Sequence, residues 1–507
     1  MLETVREYAT AMLDADDDLS GTVRLAHAEH FVDLADARRR DLHGPARREA
    51  LDALAAELDN LQAAWRHLLD RGDVARLNRL LDPLWMLHES RGWYHSAVAV
   101  TTDLLGALER AGTSPGDIDD EIALRMSLGR GLLALRGYTE EVEQVYRDAL
   151  ALADRAGVAA SQFPVLRSLA SFHLAKGEID RVAAIGQQVL ELAQEASDAS
   201  LELEGHLLLG PALALFGDAP GGIAHLDRAI ELFDPARHRP RRLRFGPNPG
   251  VTAAALSAIF SWVFGYPDTS ARRAALALRL ASELNHPYST AYANFHVARV
   301  DLWNRDHPAA LARAHDVIAV AEQHDYAIWR AVGLVVRGVS TAWLGRPAEG
   351  LDDTARGIAL YEGITTPPVF WPQVLSLKAE TCALAGRLDE ALASLDQAAT
   401  LAGTVESLDT VSLRMQRAEV LLHAGDAGSA ASFARAAYDV AGSIGLRMIR
   451  LRAATLLATL ERDGPNGDGA GAAALREVYE TFTEGFDAPD LRRARSLIEA
   501  SSTISPR

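Results

Sequence analysis

The chain has 507 residues, too many for one compact core, so its length calls for several domains or one extended repeat array. It is 49% hydrophobic and 24% charged, which excludes a disordered polymer, and its 69 acidic against 51 basic side chains, a formal charge of −18, disfavour a phosphate backbone as partner. The single cysteine, Cys382, excludes an internal disulfide or a multi-cysteine metal site, and no stretch reaches the roughly 18 apolar residues of a membrane span.

In chain order, Met1 to Leu13 places Leu2, Val5, Ala9 and Met12 on one helical face, and acid near its start is unlike a signal peptide. The acidic run Asp14 to Asp18 reads as a solvated helix end. A second helix is predicted from about Thr22 to Leu42 and a third from Pro45 to Arg71. His27 and His30 stand one turn apart, but the His-Glu-x-x-His zinc pattern and a third ligand are lacking, so a partly exposed helix face is expected.

From Gly92 onward a phrase recurs: a helix rich in alanine and leucine, a glycine turn, then a second helix with apolar residues three and four apart. The turns centre on Gly92, Gly137, Gly177, Gly217, Gly265, Arg305, Gly345, Gly386 and Gly425. From Gly137 on, they are separated by 40, 40, 48, 40, 40, 41 and 39 residues. Glycine can take the left-handed conformation that stops a helix and turns the chain. The helix after it, as in Leu388, Ala391, Leu392, Leu395, Ala398 and Leu401, carries one apolar stripe that a lone pair cannot cover, so pairs must stack. Seven residues before successive turns stand Ala170, Gly210, Ala258, Ala298, Gly338, Ala379 and Ala418, all small, as a close helix crossing demands. Strand-like alternation is not evident.

The small residue, the glycine seven later and Glu390-Ala391-Leu392 resemble the tetratricopeptide consensus, with a period near 40 in place of the usual one of about 34. The resemblance implies an all-α fold: a right-handed α-solenoid of about nine tetratricopeptide-like helix pairs with helical caps. Residues 1–72 are expected to form an N-terminal cap or linker, 73–446 the repeat array and 447–507 a C-terminal cap.

Two features are candidate binding sites. The 48-residue spacing holds an insert with Arg237, Arg239, Arg241, Arg242 and Arg244, followed by a turn containing Asn248. Arg239, Arg241, Arg242 and Arg244 with Asn248 could take a phosphate, an acidic peptide or an ATPase module; the competing reading is a solvated loop. Trp262, Trp303 and Trp343 recur 41 and 40 residues apart, just before their turns. They form either an aromatic ladder in the concave groove or, the plainer reading, packing between repeats.

The two ends have a different character. Leu2-Glu-Thr-Val-Arg-Glu-Tyr8 and Glu57-Leu-Asp-Asn-Leu-Gln-Ala-Ala-Trp65 resemble the stretch that follows the ATPase module in bacterial STAND-type signalling ATPases. Leu475 to Leu491, in which Gly485 is expected to end a helix and Pro489 to open the next, is similar to the ending of large actinobacterial proteins. In those proteins a class III cyclase or a DNA-binding domain precedes a STAND-like ATPase and a tetratricopeptide tail. Neither Lys176 nor Lys378 lies in a Gly-x-x-x-x-Gly-Lys-Ser/Thr phosphate loop, and Gly-x-Ser-x-Gly is absent. The resemblance therefore implies a non-catalytic, cytoplasmic sensor and scaffold that regulates a STAND-type ATPase and its output domain. It would have no cofactor of its own, ATP entering only through an upstream module. The expected partners are a protein or peptide, above all an ATPase or output module, and a small-molecule inducer, with no direct nucleic acid and no membrane. The alternative is a free-standing adaptor that binds peptides in its groove.

Overall fold

The computed structural model describes residues 8, 12–13, 15–42, 46–111, 118–157, 159–215, 218–235, 247–363, 370–463 and 469–503. Among them the chain forms 24 α-helices and no strand. It packs as two units, Met1–Ser168 and Leu169–Ile364 with Pro368–Arg507. The arginine insert at 237–244 and the turn at Gly217 lie outside the described residues.

The first unit begins with α1 (Asp17–Leu42), α2 (Arg47–Ala56), α3 (Leu58–Asp70), α4 (Val74–Ser90) and α5 (Tyr94–Ala111) around one apolar core that includes Phe31, Leu54, Trp65, Leu84 and Leu104. Ion pairs from Arg76 to Glu29 at 2.6 Å and from Arg79 to Asp33 at 2.9 Å tie α4 to α1. The pair α6 (Ile118–Arg136) and α7 (Glu140–Ala156) follows, and α8 (Ala159–Ala175) contains the unit boundary. Two expectations need correction. Helix α1 starts at Asp17, not near Thr22. The predicted helix from Pro45 to Arg71 is two helices, broken where Glu57 leaves helical geometry at φ −105°, ψ 14°. Leu54, Leu61 and Leu68, on the two sides of the break, are all buried in the same core.

The second unit continues with α9 (Ile179–Ala196), α10 (Ala199–Leu215), α11 (Ala219–Leu232), α12 (Pro249–Val263), α13 (Pro267–Leu284), α14 (Pro287–Trp303) and α15 (His307–His324). Then come α16 (Ala327–Trp343), α17 (Pro347–Glu362), α18 (Trp371–Leu384), α19 (Leu388–Ala402), α20 (Leu408–His423) and α21 (Ala427–Ser443). The last three are α22 (Arg447–Asp463), α23 (Ala470–Tyr479) and α24 (Pro489–Thr503). Each predicted turn that falls among the described residues separates the two helices of a pair. Gly92, Gly137, Gly177, Gly265, Gly345, Gly386 and Gly425 all have φ between 71° and 87°. At Gly386 the Arg387 amide donates to the Cys382 carbonyl at 2.8 Å and the Gly386 amide to Ala383 at 3.0 Å, closing the end of α18. Arg305 takes the same left-handed geometry, φ 59°, without being glycine.

The small residues sit where α10, α12, α14, α16, α18 and α20 cross their partners. A Cβ on Gly338 would lie 2.6 Å from the Gly350 carbonyl oxygen and 2.9 Å from the Thr354 nitrogen. A second small series, twelve residues further on, supplies the other side of each crossing: Gly222, Ser270, Ala310, Gly350, Ala391 and Ala430, all buried. Ser270 also donates its hydroxyl to the Ala258 carbonyl at 2.6 Å.

Helices α22 to α24 turn back onto helices laid down about 200 residues earlier. Thr269 donates through its backbone N–H and its hydroxyl to the Glu484 carboxylate at 2.7 and 3.0 Å, and the Gly485 amide donates to Asp268 at 3.0 Å. Phe482 and Arg447 pack on Gly265, and the Arg447 guanidinium lies 4.4 Å from the Tyr266 ring centre. Helix α23 therefore ends at Tyr479, earlier than Gly485 predicted: the chain leaves the helix to bury Phe482, 5% exposed, and Gly485 sits in the connection at φ 74°. Pro489 opens α24 as expected. The second unit thus closes on itself.

Candidate ligand-binding lumen

Inside that closure lies a cavity of about 470 Å³, lined by α12, α14, α16, α18, α20, α22 and α24, with the Arg305–His307 turn. Its volume is within the range of small-molecule sites. The repeat geometry explains what faces it. Next to the small crossing residues Ala298, Ala379 and Ala418 stand Arg299, Glu380 and Glu419, and one turn later Trp303, Leu384 and His423; all six line the cavity.

All three repeating tryptophans border it. Trp262 is 1% exposed and stacks on Trp303, ring centres 4.9 Å apart at 26°, while its indole N–H donates to Asn304 at 2.8 Å. The Arg452 guanidinium lies 4.8 Å from the Trp262 ring centre and that of Arg299 lies 5.3 Å from the Trp303 ring centre, so the two indoles are held between two cations. Trp343 is 37% exposed, stacks on His307 at 4.7 Å and 6°, and donates its indole N–H to Glu380 at 2.6 Å. Trp262 is therefore mainly a packing element, whereas Trp303 and Trp343 present surface as well. Asn248 has a different place: it caps α12, its side chain accepting from Gly250 at 3.0 Å, and it is only 4% exposed.

The charges in the lumen fall into two sets. Asp490, only 8% exposed at its side chain, is shared by Arg452 at 2.8 Å and Arg305 at 3.5 Å. Burial works against the Arg452 charge, but Asp490 and Glu419 outweigh it and hold its pKa above the ordinary arginine value. Arg452 also donates to the Trp303 carbonyl at 2.5 Å, joining α22, α24 and α14 at one point. The second set makes no ion pair within 4 Å. Burial lowers the Arg299 pKa and raises those of Glu380 and Asp409; Asp409 feels the Arg299 charge but is hydrogen-bonded only to Gln373, at 3.3 Å. These groups keep part of their surface open to the lumen while protein surrounds them.

Of the residues that line the cavity, Trp262, Trp303 and Trp343 stand out in the sequence by their period, whereas Arg299, Glu380, Asp409, Glu419, Arg452 and Asp490 do not. A signal was available for two of the acids and for Arg299: a charge beside the small crossing residue, in a helix otherwise apolar there. Arg452 and Asp490 depend on the chain closing, which no local pattern encodes. Among the described residues no three His, Cys, Asp or Glu side chains are grouped to hold a metal, and no helix is long and apolar enough to cross a membrane. Cys382 is a buried filler, 1% exposed, its thiol pKa pushed up by burial.

No family model and no curated protein sequence matches the chain. Among solved structures, a Rap protein complexed with competence and sporulation factor aligns at TM-score 0.51 and 13% identity, over 73% of this chain and 98% of that one. Yeast Tom70 aligns at TM-score 0.35 and 12% identity, over 94% and 96%. A STAND protein with a tetratricopeptide repeat sensor from Pyrococcus horikoshii aligns at 0.37 and 12%, over 76% of this chain and 54% of that one. At the last two scores the likeness carries no argument. The fold is an all-α helical-repeat array of the tetratricopeptide type.

Proposed function

We propose that the chain is a non-catalytic sensor: a repeat scaffold that takes a ligand into the closed lumen and passes its occupancy to a signalling ATPase of the STAND type. The observation that carries this reading is the lumen itself, walled by repeats, lined by tryptophans and charged side chains, and bordered by the C-terminal helices. A long groove would suit a free-standing adaptor for extended peptides; a partly open cavity of about 470 Å³ suits a small ligand better. The link to an ATPase and its output domain rests on the resemblance of the phrases near Tyr8, Trp65 and Leu491. In this reading the empty array holds the ATPase inactive, and a ligand that favours one closure state of α22 to α24 shifts the balance.

The test is coexpression of the chain with the ATPase module encoded in frame upstream or in the adjacent gene. Association, with ATP hydrolysis suppressed relative to the module alone, is the expected result. No association, or a genomic context with no phosphate loop, contradicts the reading.

A further inference from the structure

We propose that the outer face of α1 pairs with the same face of a second copy of this chain, the two helices antiparallel, so that the protein forms a two-fold dimer through its first unit. This goes beyond the sensor reading and does not involve the lumen.

The first observation is a helix end that, among the described residues, its own unit leaves bare. Between Asp18 and His27 only Ser20 is buried, and the part of α1 that enters the apolar core begins at Ala28. Leu19 and Val23, one turn apart on this stretch, are 52% and 43% exposed, and Met12 just before it is 59% exposed. Short helical stretches are marginal in water and are normally held by packing an apolar face, whereas here apolar side chains face solvent. The exposed line runs the whole helix at spacings of three and four, from Asp16 past Leu19, Val23 and Ala26 to Ala37 and Arg40, opposite the buried Ala28, Phe31 and Ala35. That spacing is the one by which two helices pack side by side at about 20°.

The second observation is independent and selects the occupant. The charges at the two ends of this line are opposite. Asp16 accepts from the Leu19 amide at 3.1 Å at the start of α1, and Arg40, in its last turn, makes no ion pair among the described residues. An antiparallel copy whose two-fold axis passes Ala28 sets Asp16 against the second copy's Arg40, Leu19 against its Ala37 and Ala26 against its His30, each contact made twice by symmetry. A parallel copy would set acid on acid and arginine on arginine. The small Ala26 and Ala37 let the two backbones approach, while Asp33 keeps its pair with Arg79 of its own chain at 2.9 Å. A contact along one helix buries less than about 1,200 Å² in all, the range of weak and reversible interfaces. The formal charge of −18 on each copy opposes their approach at low salt and is screened at about 0.15 M.

The test is sedimentation velocity of the full chain, from micromolar to sub-millimolar concentration at about 0.15 M salt. A reversible equilibrium between monomer and dimer is expected. Leu19→Glu, at an exposed position, should leave the melting temperature as in the parent and keep the chain monomeric over that range. Arg40→Asp sets acid against acid and should weaken the dimer by about tenfold, and Asp16→Arg/Arg40→Asp, which exchanges the two charges, should restore it. Circular dichroism checks that each variant is folded. A parent chain that stays monomeric throughout overturns the proposal and leaves this face to a different partner. A dimer indifferent to Leu19→Glu, or an exchanged variant as weak as Arg40→Asp, overturns it as well. Association with the ATPase module is measured separately, so failure of the sensor reading is distinguishable from failure of this one.

Discussion

Asp490 ties the last helix to Arg452 and Arg305, and its replacement by asparagine gives a quantitative expectation. Its carboxylate, 8% exposed, lies 2.8 Å from Arg452, which is itself only 18% exposed. Removing one partner of a buried ion pair typically costs about 3–5 kcal/mol, because the other charge stays buried and uncompensated. Arg452 keeps its bond to the Trp303 carbonyl and the field of Glu419, so the lower end, ~3 kcal/mol, is expected. At 1.4 kcal/mol per factor of ten, the population with α24 undocked should rise by about a hundredfold. Amide hydrogen exchange reads this directly: protection in α24 and the start of α22 should fall by about that factor, while α1 in the other unit stays unchanged. The double variant Arg452→Leu/Asp490→Leu, which removes both charges, should recover much of the loss. The reasoning is refuted if Asp490→Asn leaves α24 protection unchanged, or if the double variant is as open as the single one.

Other expectations follow from the same contacts. Gly338→Ala should destabilise the second unit by ~1–3 kcal/mol in denaturant unfolding, because the added methyl meets the backbone of α17; Gly106→Ala, with nothing within 4 Å, should stabilise the first unit by ~0.5–1 kcal/mol. His88 in α4 is 1% exposed with neither ring nitrogen hydrogen-bonded, and burial lowers its pKa to about 4. The unfolded chain takes up that proton below the ordinary value of 6.5, so stability is full above pH 6.5 and falls as pH drops towards 4, by up to about 1.4 kcal/mol per pH unit. His88→Leu should remove one proton's share of that slope in melts between pH 7 and 4.5; an unchanged slope contradicts it. Cys382 should resist a thiol reagent in the native protein and react on unfolding, and rapid native labelling contradicts its burial.

Much of the fold was legible because its determinants are local. A left-handed turn needs glycine, and a close crossing needs a small side chain, so Gly137 to Gly425 and Ala170 to Ala418 betray the pairs without any tertiary knowledge. The break at Glu57 was not legible: neither glycine nor proline marks it. Nor was the closure. The segment from Phe482 to Pro489 advertises a turn, but its partners, Asp268 and Thr269, are chosen by the accumulated curvature of six helix pairs. Arg305, at the one described turn of the series without glycine, reaches Asp490 only once the chain has closed. The tryptophans stand out by their period, whereas the charges around the lumen needed the folded chain in view.

Closure of the second unit around its lumen is tested most directly by one distance. Spin labels at the exposed positions Arg272→Cys and Asp487→Cys, in a Cys382→Ala background, lie on segments about 215 residues apart in sequence that meet through Thr269 and Glu484. Pulsed electron resonance should give a single narrow distance near the lower limit of the method. A long or broad distribution would mean that the C-terminal helices are not docked, and that the array is an open groove without an enclosed lumen.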